Sequence, residues 1–111
     1  MKNKIIAIDF DGTITDDTPY PVCGNLRTEA VIYIHKLYKL GYKLVLWTAR
    51  KDKYYDECIY KLKEWNLYKY FSFDNLTNTN GKIYADFYID DRSLMEKIDW
   101  KKIYNYIINN I

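Results

Sequence analysis

Two carboxylates stand one residue apart at Asp9 and Asp11, with Gly12 immediately behind them. They follow a short β-branched run, Ile5 to Ile8, of the kind that forms a strand buried on both faces of a parallel sheet. In open α/β sheets, ligands bind at the carboxyl ends of such strands. Two acids there can hold a metal, or one can attack while the other moves protons. An Asp-x-Asp-Gly turn taken alone is more often a solvated turn, so the other polar positions have to decide.

Those positions are Thr48, which ends the apolar run Tyr42 to Thr48; Lys82, behind the turn-rich loop Asp74 to Gly81; and Asp90 with Asp91, which close a run from Ile83 to Ile89. Four acids, one hydroxyl and one lysine at one sheet edge form an inventory for phosphoryl transfer. Oxygen-rich sites suit Mg²⁺, a hard cation that bridges a few carboxylates to a phosphate. A carboxylate can attack phosphorus, while the metal and a lysine neutralise charge on the phosphoryl oxygens. Arg50 and Arg92 each follow one of these motifs, and either one can bind a second phosphate or a substrate carboxylate, or simply lie on the surface.

The elements that must position these groups read as β-α-β-α-β-β-α. Asn25 is a candidate cap for a helix over Leu26 to Leu40, whose inner face is Ala30, Val31, Ile34, Leu37 and Tyr38 and whose end is marked by Gly41. His35 falls on the outer side. Asp52 is a candidate cap for Lys53 to Trp65, with Tyr55, Ile59 and Leu62 inward and Cys58 beside them as a small buried hydrophobe. Tyr70 to Phe73 reads as a short third strand and Ile83 to Ile89 as a fourth, with Asp86 facing water or capping a neighbour. Asp99 caps a last helix, Trp100 to Ile108. The alternation predicts one α/β domain over residues 1–111, a Rossmann-like parallel sheet with helices on both faces in three layers. The stretch Thr13 to Tyr20, rich in polar residues and containing Pro19, reads as a turn or small hairpin able to act as a flap over the two acids.

D-F-D-G-T at Asp9 to Thr13, the strand-terminal Thr48, Lys82 and the strand-terminal pair Asp90 and Asp91, in that order, resemble the haloacid dehalogenase superfamily of phosphatases. The phrases L-W-T-A-R and Y-I-D-D-R further resemble its compact, capless hydrolases, and K-I-Y-A-D-F-Y-I-D-D-R is similar to the corresponding part of deoxyribonucleotidases. The resemblance implies that Asp9 is the nucleophile that becomes phosphorylated and also a metal ligand. It implies that Asp11 protonates the leaving oxygen and then deprotonates the attacking water, its backbone carbonyl lying on Mg²⁺. Such an acid needs a pKa raised by nearby acids or by partial burial. By the same resemblance Thr48 and the Ala49 amide hold the phosphate, Lys82 pairs with nucleophile and phosphate, Asp90 binds the metal, and Asp91 assists. Asp11 speaks against the dehalogenase branch, which lacks an acid there. The connections Thr13 to Asn25 and Asp74 to Gly81 are too short for the cap domains of larger relatives. The expected site is therefore open to a bulky phosphoester unless the flap or a second copy in a homo-oligomer covers it.

The bulk composition is that of a soluble domain, with 49% apolar and 29% charged residues. A net charge of +2 is too small to argue for nucleic acid or a membrane surface. Thirteen tyrosines are scattered along the chain and form no stacking platform. Cys23 and Cys58 have no metal-ligand spacing, and the N-terminal apolar run is too short for a signal peptide, so the cytoplasm is the default location. The leading reading is a Mg²⁺-dependent phosphomonoesterase acting on a small phosphorylated substrate. The alternatives are a nucleotidase or nucleic-acid end-processing phosphatase, supported by Arg50, Arg92 and the open site, and a non-catalytic phospho-binding module.

Overall fold

The structure is a computed structural model and describes residues 4–73, 85–90 and 98–110. Its regular elements are β1 (Ile5–Asp9), α1 (Thr28–Lys39), β2 (Lys43–Trp47), α2 (Asp52–Glu64), β3 (Phe87–Ile89) and α3 (Trp100–Ile108). The three strands form a parallel sheet in the order β2-β1-β3, a small α/β architecture consistent with a Rossmann-like fold. The central strand is the most apolar, as a strand paired on both edges must be. Ile6, Ala7 and Ile8 are wholly buried, and the core continues through Ile34, Leu37, Leu44, Leu62, Leu67 and Trp100. Truncating any one of the larger of these to alanine costs about 2–5 kcal/mol.

The expected third strand, Tyr70 to Phe73, is reduced to a single bridge. Residues Tyr68–Tyr70 form one tight helical turn, so only Phe71 pairs with Leu44, followed by Ser72 N–H donating to the Leu44 carbonyl at 2.7 Å. Local i→i+3 bonds, such as Phe71 N–H to the Tyr68 carbonyl at 3.1 Å, keep the chain in a turn where β-propensity alone suggests extension. Of the expected fourth strand, residues 83 and 84 lie outside the described residues, and pairing covers Phe87–Ile89. Asp86 caps a neighbour as expected: its Oδ2 accepts from Ile5 N–H at 2.8 Å and its own N–H donates to the Ile5 carbonyl at 2.8 Å.

The helices start later or earlier than their sequence caps suggest. Leu26 pairs with Thr15 in an antiparallel bridge, which keeps the chain extended through Arg27, so α1 begins at Thr28 and Asn25 does not cap it. Asp52 is the first residue of α2 with φ +53°, and the Lys51 carbonyl accepts from both Tyr54 and Tyr55. Asp99 caps α3 as expected, accepting from Lys102 N–H at 3.1 Å. Gly41 ends α1 with φ +98°, and Asn66 does the same for α2 with φ +61°. Helices α1 and α3 meet through Tyr33 and Tyr104, ring centroids 5.2 Å apart, with the Lys36 ammonium over both rings. His35 is exposed and shares a hydrogen bond with Tyr70 Oη at 2.9 Å. Among the described residues no helix is long and apolar enough to cross a membrane.

Cys58 is a free thiol, fully buried on α2, and burial pushes its pKa from 9.0 up to about 12. Below pH 9 the thiol is neutral in both the folded and unfolded chain. Between pH 9 and 12 the unfolded chain loses the proton and the fold keeps it, so stability falls by at most about 1.4 kcal/mol per pH unit from this group. Burial also pushes Tyr42 and Tyr55 up, which adds to the alkaline loss. Denaturant unfolding from pH 8 to 11 is expected to show a shallower decline for Cys58→Ala than for the parent chain; parallel declines would contradict the assignment.

Candidate active site

The site is built at the carboxyl edge of the sheet because parallel register brings three strand ends level. Asp9 is opposite Trp47, so Thr48 is the next residue out on one side. Ile8 is opposite Ile89, so Asp90 is next out on the other. Asp9, Asp11, Thr48, Ala49, Arg50 and Asp90 all line one cleft of about 580 Å³, closed along another side by Asp17, Thr18, Pro19 and Tyr20. Convergence of Asp9, Asp11, Thr48 and Asp90, expected from the sequence, is therefore met. Lys82, Asp91 and Arg92 lie outside the described residues, as does the loop Asp74 to Gly81.

The turn after β1 explains why the motif reads D-F-D-G. Asp11 (φ −69°, ψ 124°) and Gly12 (φ +80°, ψ −5°) are the central pair of a type II turn, whose second position favours glycine. Phe10 points inward, wholly buried and stacked on Trp65 at 6.1 Å, which leaves the two flanking carboxylates on the cleft side. Thr15 N–H closes the wide turn on the Phe10 carbonyl at 3.1 Å, and the Thr15 hydroxyl accepts from Gly12 N–H at 3.1 Å. From the far side, Trp100 Nε1 donates to the buried Thr13 carbonyl at 2.9 Å, so the first residue of α3 anchors the turn. Thr13 Oγ1 donates to Asp9 Oδ2 at 3.2 Å and orients that carboxylate. Thr13 stands inside the motif, but its role as an orienting hydroxyl has no spacing signal of its own.

The expected flap is a short hairpin. Its base is the Thr15–Leu26 bridge, with Asp16 N–H donating to the Asn25 carbonyl at 2.8 Å and Arg27 N–H to the Ile14 carbonyl at 2.9 Å. Inside it, Asp16 accepts from Thr18 N–H and, at 2.6 Å, from Thr18 Oγ1; these bonds pull its carboxyl below the usual carboxylate value. The Arg27 side chain donates to the carbonyls of Thr15 and Gly12 and to Asp17 Oδ1, tying hairpin to turn. Arg27 and Tyr20 carry no sequence motif and become visible as site-shaping residues only in three dimensions.

Arg50 corrects the expectation of a substrate-binding or surface arginine. It borders the cleft, yet its side chain has no exposed surface, and its guanidinium grips Asp11 with two bonds of 2.7 Å, from Nε to Oδ2 and from Nη2 to Oδ1. Nη1 donates to Glu57 Oε1 and the Tyr54 carbonyl, and Nη2 also reaches the carbonyls of Pro21 and Val22. Phe10 and Tyr20 cover it at 5.4 and 5.1 Å from their ring centroids. The bonds to Asp11 push the guanidinium above its ordinary value, with burial acting in the opposite direction. At hydrogen-bonding distance Asp11 therefore meets a buried cation, while Asp9 and Asp90, the acids expected near it, line the same cleft.

Asp9 and Asp90 are the residues suited to a metal. They are hard carboxylates at neighbouring strand ends on one cleft, and Mg²⁺ needs only one or two protein carboxylates because it keeps waters and phosphate oxygens as its other ligands. Among the described residues no group of three or more His, Cys, Asp or Glu side chains is placed to hold a metal ion, so the donors do not form an all-protein cage. That donor set fits Mg²⁺ better than a structural zinc.

Gly12→Ala is expected to lower stability by about 1–2 kcal/mol, since a side chain at φ +80° is strained there. A denaturant midpoint unchanged from the parent would mean the turn relaxes without cost.

No protein-family model matches the chain, and no curated protein matches it. Among solved structures, a conserved protein coded by a locus of Bacteroides thetaiotaomicron superposes with a TM-score of 0.81, at 32% sequence identity, over 96% of this chain and 91% of that one. Identity at that level over nearly the whole of both chains means that this chain belongs to the same protein family as the conserved Bacteroides protein.

Proposed function

We propose that the chain is a Mg²⁺-dependent phosphomonoester hydrolase of the haloacid dehalogenase type, working through an aspartyl-phosphate on Asp9. The observation that carries the reading is that Asp9, Thr48 and Asp90 end three adjacent parallel strands around one cleft, with the Asp11 carboxylate beside them. The three-layer, capless form of the fold belongs to the same proposal; the short hairpin between Thr15 and Leu26 is consistent with it.

In this reading an Asp9 carboxylate oxygen attacks phosphorus as the bond from phosphorus to the ester oxygen breaks. Asp11 gives a proton to the departing oxygen. A water that Asp11 then deprotonates attacks the same phosphorus, releasing inorganic phosphate and restoring Asp9. Each oxygen of a carboxylate has more than one lone-pair site, so Asp11 can accept from Arg50 and still present its exposed 23% to the cleft. The Thr48 hydroxyl accepts from Arg50 N–H at 3.2 Å, which leaves its own hydrogen to donate to a phosphate oxygen alongside the Ala49 amide. Asp9, Asp90 and the Asp11 backbone carbonyl would hold Mg²⁺, with Asp91 assisting as the resemblance implies, and the metal would supply charge neutralisation at the phosphate. Lys82 would add to that neutralisation. A small phosphoester is preferred over a nucleic-acid end, because burial of Arg50 removes one of the two arginines that favoured the latter.

Hydrolysis of p-nitrophenyl phosphate with and without Mg²⁺ tests the reading. Turnover is expected to require the metal and to fall by at least about a thousandfold in Asp9→Asn, with the circular dichroism spectrum unchanged. Asp90→Asn is expected to raise the Mg²⁺ concentration needed for half-maximal rate. Full activity of Asp9→Asn would rule the mechanism out.

A further inference from the structure

We infer that Arg50 is a positioning residue that sets the leaving-group side of the reaction by holding Asp11 in a fixed plane; the inference rests on the phosphatase reading above. A fork of two 2.7 Å bonds fixes both the place and the rotation of the Asp11 carboxylate, which a single contact does not do. The fork is itself held from behind. Glu57 Oε1 and the Tyr54 carbonyl of α2 accept from Nη1 at 3.3 and 3.4 Å, while the Phe10 and Tyr20 rings lie 5.4 and 5.1 Å from the guanidinium carbon. The same residue orients the phosphate-binding hydroxyl, since its backbone N–H donates to Thr48 Oγ1. One buried side chain therefore joins α2, the hairpin carbonyls of Pro21 and Val22, and Asp11 into a single unit. A lysine has one point of charge and no planar fork, so it cannot reproduce the geometry.

Asp11 serves both steps, but the Asp9 phosphate is the same whichever ester formed it, so the two esters differ only in the step in which the ester bond breaks, which kcat/KM reports. An alkyl alcohol leaves only if Asp11 delivers a proton to its oxygen as the bond to phosphorus breaks. A nitrophenolate leaves without that proton. Misplacing Asp11 should slow the first far more than the second, whereas a general loosening of the fold slows both alike.

The experiment compares kcat and KM for glycerol 2-phosphate and p-nitrophenyl phosphate in the parent chain, Arg50→Ala, Arg50→Lys and Glu57→Gln, all with saturating Mg²⁺. In Arg50→Ala and Arg50→Lys, kcat/KM for the alkyl ester is expected to fall about 10- to 100-fold more than for the aryl ester. Added methylguanidinium is expected to restore part of the alkyl-ester rate in Arg50→Ala only. Glu57→Gln keeps the core intact, because Glu57 is 42% exposed at its side chain, and should bring the same asymmetry at smaller size. Equal losses of kcat/KM on the two esters in all three variants, or a raised KM with kcat preserved, would overturn the inference. Failure of the underlying reading is distinguishable, since the parent chain would then turn over neither ester or Asp9→Asn would keep its rate.

Discussion

The in-register parallel pairing of β1 with β2 on one side and β3 on the other is the constraint from which the rest follows. It makes Asp9, Thr48 and Asp90 neighbours although they are far apart in sequence. It also requires β1 to be apolar along its whole buried length, so polarity can begin only where the strand stops. Phe10 and Gly12 then complete the geometry: one side chain goes into the core, one residue takes the turn, and two carboxylates remain at the edge.

A carboxylate at such an edge is costly to hold in one orientation, and the molecule meets that cost with a buried arginine. Arg50 would itself be unfavourable without partners, since a charge taken out of water needs both pairing and hydrogen bonds. It has both: Asp11 and Glu57 supply charge, three backbone carbonyls supply further acceptors, and two aromatic rings pack against it. Removing either member of the close pair takes two 2.7 Å bonds from the other, so Arg50 and Asp11 are interdependent in stability as well as in geometry. The turn is tied down from three further directions, by Trp100 on the Thr13 carbonyl, by Arg27 on the Gly12 carbonyl and by Thr15 across the turn.

Much of this was legible in the residues. β1, β2, α1, α2 and α3 follow from apolar periodicity, Gly41 from its place behind a helix, and the edge cluster from the rule that parallel strands gather their carboxyl ends. The strand that aromatic β-propensity predicts over Tyr70 to Phe73 shrinks to one bridge at Phe71, because propensity does not register the i→i+3 bonds that hold Tyr68–Tyr70 in a turn. Asn25 and Asp52 are cap-type residues that do not cap, because tertiary pairing of Leu26 with Thr15, and a left-handed Asp52, decide where the helices begin. Arg50 was legible as a residue beside the site but not as to its direction. An arginine after a strand-terminal motif looks the same in sequence whether it faces a ligand or an aspartate 39 positions earlier.

The most direct measurement is to quench turnover of a radiolabelled phosphoester with acid and map the labelled peptide. Asp9 as nucleophile predicts acid-stable, alkali-labile label on the peptide that contains Asp9, absent from Asp9→Asn. Steady hydrolysis with no label trapped on the protein under rapid quench, or label on any other residue, would contradict it.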